Sequence, residues 1–282
     1  MKIKFIIYVI IFVISISVIS FQFFSNDKFE NTDQLPNEIN KSKLDITSLF
    51  NIYGFEDQYQ IINGKKTWNN VKFELNPKND ELYEKLLYSP TEKTVVIYPI
   101  FTSLAYSEPG FYTYYRGECG EECLILEIQK ESPLNFFSSG NGFQVLKLLE
   151  YESITDIELD QNPDILKQYK KVILLHNEYV TKKEFNAITN HPNVVYLYPN
   201  ALYAEIIVDY NNNSMTLHRG HNFPESQIRN GFDWEFDNSP MEYNVDCIDM
   251  GFDRIDNGWM LNCYPERAIH QSKVLLEMIK NF

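Results

Sequence analysis

Positive charge is scarce in this chain: Lys and Arg number 25 against 39 Asp and Glu, for a formal net charge of −14. A surface of that sign repels phosphate backbones, which argues against a nucleic-acid role. Long apolar runs are scarcer still. There is one, at the amino-terminal end, and that excludes a multi-span membrane protein. No segment repeats at a solenoid period. Asp246, Asp249, Asp253 and Asp256 are too loosely spaced for an EF-hand. What the chain has in quantity is apolar and aromatic residues, 44% and 15% of 282. Those figures exclude a disordered chain and a coiled coil, and they supply one sizeable core.

Residues Phe5 to Phe24 (FIIYVIIFVISISVISFQFF) carry no charge over a length that crosses a hydrocarbon core. A cleaved signal peptide shares the charged start and the apolar run. Its core is shorter, however, and it ends in small residues, whereas this run ends in Phe-Gln-Phe-Phe. An uncleaved anchor is therefore expected. Lys2 and Lys4 precede the span and Asp27 and Glu30 follow it, so the positive-inside rule sends the bulk of the chain across the membrane. The cysteines agree: Cys119, Cys123, Cys247 and Cys263 all lie beyond the span, an even number suited to two disulfides in an oxidising compartment. Three pairings are possible. Cys119 and Cys123 are near enough to close a small loop, leaving Cys247 with Cys263. A four-thiolate zinc site is the alternative, with unusual ligand spacing. Asn40-Lys41-Ser42 and Asn212-Asn213-Ser214 are glycosylation sequons that suit that compartment.

Composition divides the chain into an anchor (1–24), a polar tether (25–44), a small leading region (45–93) and a regular α/β region (94–282). In the leading region, Asn63-Gly64 signals a hairpin turn and Pro77 opens a short helix. From Thr94 the pattern is regular. TVVIYPIF (94–101), ITDIELD (154–160), KKVILLH (170–176) and NVVYLY (193–198) predict strands. Helices are expected at 141–151, after Asn162-Pro163, and from the capping box Thr181/Glu184 to His191-Pro192. Parallel crossovers follow, hence an open, mostly parallel sheet flanked by helices. A β-hairpin around Asn211–Asn213, an irregular acidic stretch from His221 to Asp256, a strand (GWMLNCY) and a closing helix (268–281) complete the chain.

Ligands in such sheets sit beyond the carboxyl ends of the strands. Those ends carry Thr102 and Ser103, then His176, Asn177 and Glu178, then Asn200, then Tyr264 and Glu266. His176 and Glu178 share one loop, and His218 and His221 could approach from the hairpin; two or three histidines and a carboxylate are a possible divalent-metal set. Asp233, Glu235 and Asp237 alternate with Trp234 and Phe236. As a strand they would present three carboxylates on one face, for calcium or acid/base work, or simply a solvated face over packed aromatics. Nineteen tyrosines and twenty phenylalanines could offer stacking platforms for sugars, although most must fill the core.

NVVYLYPNALYAE (193–205) resembles the nucleophile turn of the class I glutamine amidotransferases and their ThuA-like relatives. MLNCYPERAIHQSKVLLEMIKNF (260–282) looks like that family's last strand, Pro-Glu pair and closing helix, and KKVILLHNEYVT stands where its oxyanion-loop strand would be. The resemblance implies a flavodoxin-like or amidotransferase-like fold over 94–282. Its catalytic residues are replaced. Asn200 stands about where the family has its nucleophilic cysteine, and Tyr264 where it has the base histidine; Glu266 matches the third member. Glutaminase activity is not expected. ThuA-like relatives are often placed in carbohydrate contexts.

The expectation is thus a membrane-anchored extracytoplasmic domain on a degenerate scaffold. It would bind a glycan or envelope component near His176, Asn177, Glu178, Asn200, Tyr264 and Glu266, with Glu178 and Glu266 as the acid/base candidates. The alternative is a metal-dependent hydrolase, of carbohydrate or amide, using His176, Glu178, His218 or His221 with Asp233 or Glu235. A third possibility is a spacer without a small-molecule site.

Overall fold

The computed structural model describes residues 41–282 apart from 45, 63, 69, 130 and 131. The expected anchor at 5–24, most of the tether and Asn40 of the first sequon lie outside the described residues. Among the described residues, no helix is long and apolar enough to cross a membrane.

In chain order, β1 (Lys41–Lys43), β2 (Asn51–Phe55), β3 (Tyr59–Ile62), β4 (Lys65–Trp68) and β5 (Val71–Glu74) precede α1 (Asp80–Leu86). Then come β6 (Thr94–Tyr98), α2 (Ile100–Ala105), α3 (Phe111–Tyr115), β7 (Ile125–Glu127), α4 (Gly140–Leu148), β8 (Glu152–Thr155) and α5 (Asp156–Gln161). The chain continues through β9 (Lys171–Leu174), β10 (Tyr179–Val180), α6 (Lys182–Thr189), β11 (Val194–Tyr196), β12 (Ala204–Asp209) and β13 (Ser214–Arg219). It closes with β14 (Phe252–Ile255), β15 (Gly258–Leu261) and α7 (Lys273–Asn281).

The central sheet has six strands in the order β14-β15-β11-β9-β6-β8. All neighbours are parallel except the edge pair β14–β15. Numbered along the chain, its five parallel strands stand 2-1-3-4-5, a common doubly wound order with its switch point between β6 and β9. Alternation along each strand feeds two cores. Val96, Ile173, Val195 and Leu261 face one side, where Leu146, Leu275 and Ile279 cover them. Val95, Ile97, Val172, Leu174, Val194, Tyr196 and Met260 face the other, with Leu159, Leu166 and Ile188. Phe50, Ile52, Phe73, Tyr83 and Leu86 join the first core, so residues 45–93 pack on the sheet itself. A second sheet, β10-β12-β13-β7, encloses a third core with α2 and α3.

Both disulfides are Cys119–Cys123 and Cys247–Cys263. The hairpins β3–β4 and β12–β13 and the capping box at Thr181/Glu184 also form where expected. Several elements differ from expectation. Residues 154–160 are not one strand: Thr155 accepts from the backbone of Glu158, and Glu158 accepts in return from Thr155 N, which starts α5. Pro99 ends β6, since it has no N–H for the ladder, and α2 follows. DWEFD is not a strand. Phe232, Trp234 and Phe236 pack sideways against the second core, while Asp233 pairs with Arg219 at 2.9 Å. The carboxylate face proposed for calcium or acid/base work therefore does not exist. The closing helix begins at Lys273, after turns over 265–271, and β14 lies inside the stretch expected to be irregular.

Glu266 clasps the start of α4. Its carboxylate accepts from Asn141 N and Gly142 N, both at 2.9 Å, and from the Tyr198 hydroxyl at 2.5 Å. A methyl group at Gly142 would collide with that hydroxyl. Gly142→Ala should therefore destabilise the fold by about 1–3 kcal/mol through overpacking, measured by chemical denaturation. An unchanged midpoint would mean that the clasp yields.

Candidate functional site

Strand β9 runs out into Leu175-His176-Asn177-Glu178 before β10, and neighbouring backbone fixes this run. Thr102 Oγ1, from α2, accepts from Glu178 N at 3.0 Å and Tyr179 N at 3.2 Å. Tyr203 N and Ala204 N donate to the Glu178 carbonyl at 3.0 and 2.9 Å. His176 and Glu178, two apart in extended chain, fall on one side. Asn177 turns the other way and is fully buried.

Around Glu178 the loops supply phenols and imidazoles. Tyr106, just past α2, donates to Oε2 at 2.9 Å; Tyr112, from α3, donates to the Tyr106 hydroxyl at 2.8 Å and lies 3.3 Å from Oε1. His176 Nε2 is 3.4 Å from Oε2, and His221 Nδ1 is 3.9 Å from Oε1. Burial pushes the Glu178 carboxyl up to about 8, with the neighbouring Glu242 adding to the rise, so it holds a proton at neutral pH. Burial pushes His176 down to about 4, and burial with the nearby Arg229 does the same for His221. Glu242 is itself raised by burial.

The His176 tautomer follows from its partner. Nδ1 lies 2.6 Å from the Phe137 carbonyl, which only accepts, so Nδ1 carries the hydrogen and Nε2 the lone pair. Tyr264 donates to the Phe136 carbonyl at 2.8 Å and stands edge-on to His176. Asn200, in the turn after β11, donates through Nδ2 to Glu242 Oε2 at 2.8 Å. Of the buried side-chain atoms that lack a hydrogen-bond partner among the described residues, His176 Nε2 and Asn200 Oδ1 belong to this group, with both amide atoms of Asn177 and the Tyr179 hydroxyl behind it.

These groups surround a cavity of about 470 Å³ whose lining includes Tyr106, Tyr112, Phe136, Phe137, Tyr243 and Tyr264. Its polar lining comes from His176, Asn200, His221 and Glu242, with Glu108 and Arg116 as an ion pair at 2.7 Å. Tyr106 stacks on Tyr112 at 4.3 Å and on Phe137 at 5.9 Å, forming a three-ring ladder.

Of the residues singled out from the sequence, His176, Asn200, His221 and Tyr264 line this cavity, and Glu178 lies directly behind it. Glu266 does not: it is buried and spent on the α4 clasp, so the acid/base role considered for it is withdrawn. Asn177 is buried away from the cavity lining and cannot contact a ligand there. His218 points from the exposed face of β13, away from the buried Met215 and Leu217. Of the set His176, Glu178, His218 and His221, the structure brings His176, Glu178 and His221 together and leaves His218 apart, and among the described residues no group of three His, Cys, Asp or Glu is disposed to hold a metal ion. Asp233 and Glu235 do not reach the cavity either. Sequence reasoning missed Tyr106, Tyr112, Phe136, Phe137, Glu242 and Tyr243. The aromatic density of GFYTYYRG (110–117) was the available signal for one wall.

No family model matches this chain, and no curated protein is similar to it in sequence.

Burial of these groups dictates a pH dependence. Asp156 and Glu178 titrate near 8 and Glu266 near 7 in the folded chain, against about 4 when unfolded. The native state thus holds protons that the unfolded state has lost, and stability falls as pH rises between those values. His176, His221 and His270, near 4 when folded and 6.5 when unfolded, act with the opposite sign below about pH 6.5. Stability should hold nearly level from about pH 5 to 6.5 and then fall toward pH 8. Glu178→Gln should make that fall shallower in denaturant melts; an identical slope would show that Glu178 is ionised throughout.

Proposed function

We propose that this chain is a membrane-anchored, extracytoplasmic binding domain on an amidotransferase-like scaffold, and that its cleft takes a glycan or another polyhydroxylated envelope component. The run Phe5–Phe24 supports the anchor, and two disulfides agree with an oxidising compartment. One observation carries the ligand class: a cavity at the carboxyl ends of the parallel strands with aromatic walls and a hydrogen-bonding floor. A sugar ring needs both, an apolar surface for its C–H groups and fixed polar partners for its hydroxyls.

Amide-transfer chemistry has no support at the turn after β11. Asn200 holds the place of a nucleophile, its amide is bonded to Glu242, and the turn leads into β12 without a helix. The metal-hydrolase alternative keeps His176, Glu178 and His221 near one another without His218, but among the described residues no group of three His, Cys, Asp or Glu is disposed to hold an ion.

The experiment is binding of the full-length chain to an array of envelope glycans. Tyr243, four-fifths exposed at the cavity, can be truncated without touching the core, and His176→Phe removes the lone pair while keeping a ring. Tyr243→Ala and His176→Phe should each weaken binding by about tenfold, the effect of one lost contact of 1.4 kcal/mol. Unchanged binding in both variants would move the site elsewhere, and retention of no glycan would overturn the proposal.

A further inference from the structure

We infer that the ligand enters this cleft amine first, as a glycan with a free amino group in its ammonium form, that is, an amino sugar. The inference rests on the glycan-binding role proposed above and adds what the polar atoms of the cavity require. Most donors there are already committed. Tyr106 gives its hydrogen to Glu178, Tyr112 to Tyr106, Tyr264 to the Phe136 carbonyl and His176 Nδ1 to the Phe137 carbonyl. Asn200 gives one amide hydrogen to Glu242. The Arg116 guanidinium at the rim is bonded to Glu108 at 2.7 Å and to Glu118 at 2.9 Å.

Two donors are left, the Glu178 proton and the second Asn200 amide hydrogen, and beside them stands acceptor capacity. His176 Nε2 and Asn200 Oδ1 belong to side chains only 1% exposed, line the same cavity and have no partner among the described residues. A buried acceptor left open is costly, and native structures rarely keep one without a use. Two such atoms beside a Glu242 carboxylate call for several N–H donors on one centre. A hydroxyl brings one donor. An ammonium brings three donors, no acceptor and a positive charge. Glu242 is partly buried, so the pair it would form is less screened than one at the open surface. The sugar body then lies against Tyr243 and the outer rings.

Calorimetric titration of the full-length chain in detergent, near pH 6, with an oligomer of glucosamine and with its fully N-acetylated counterpart tests this directly. The free-amine oligomer should bind at least about tenfold more tightly, and Glu242→Gln should remove most of that difference. Equal affinities, or tighter binding of the acetylated form, would overturn the amine-first inference while leaving the glycan role in place. Binding of butylammonium with neither oligomer would keep the ammonium pocket and overturn the glycan role. Binding of none of the three would overturn both. The comparison of ligands on the unaltered chain stands even where Glu242→Gln fails to fold.

Discussion

A parallel sheet covered on both faces leaves no water beside its strands, so its polar chemistry is confined to the strand ends. Here β6, β9 and β11 are buried almost throughout, and their side chains alternate between two apolar cores. His176, Glu178, Asn200 and Tyr264 lie within four residues of the carboxyl ends of β9, β11 and β15. They meet because those three strands are adjacent in the sheet. The meeting point is then flanked by α3, the turn at Phe136–Ser138 and the loop after β13, which leave His176, Glu178 and Asn200 about 1% exposed. Carboxyls there gain protons and histidines lose them. The site is polar in composition and close to neutral in charge, on a chain that is strongly acidic overall.

Two buried carboxyls show how differently that constraint can be met. Glu266 receives two backbone N–H groups from the first turn of α4 and a phenol, all of which favour the ionised form, and it serves to hold the helix. Glu178 receives phenols alone, and imidazoles of low basicity stand on its other sides. A mutation at Glu266 would act on the fold, and one at Glu178 on the cavity floor.

The middle of the sheet was legible in the sequence because its signal is redundant: β6, β9 and β11 are β-branched runs, and alternation is not needed when both faces are buried. Local capping was the weaker point. ITDIELD alternates as a strand should, but Thr155 and Glu158 can satisfy each other's backbone N–H groups, and two such bonds outweigh a three-residue alternation. DWEFD is a turn and not a strand, yet its period survives: Asp233 and Glu235 are exposed while Phe232, Trp234 and Phe236 pack on the core, as the plainer reading of a solvated acidic face expects. At the site, residues on strand ends could be foreseen because topology alone brings them together. Tyr106, Phe136 and Glu242 could not, since they arrive on irregular segments whose course depends on packing.

The loop bearing Glu242 and Tyr243 is irregular in backbone yet firmly tied to the end of β15. Asn238 Nδ2 donates to the Leu261 carbonyl, Tyr264 N to the Asn244 carbonyl, and Cys247–Cys263 closes the segment covalently. Each tie reduces the freedom that a ligand would otherwise have to remove on binding. The same ties fix Glu242 against Asn200, whose amide donates to its carboxylate at 2.8 Å. Asn200 is thereby held beside a carboxylate by a segment whose course is set by the fold itself.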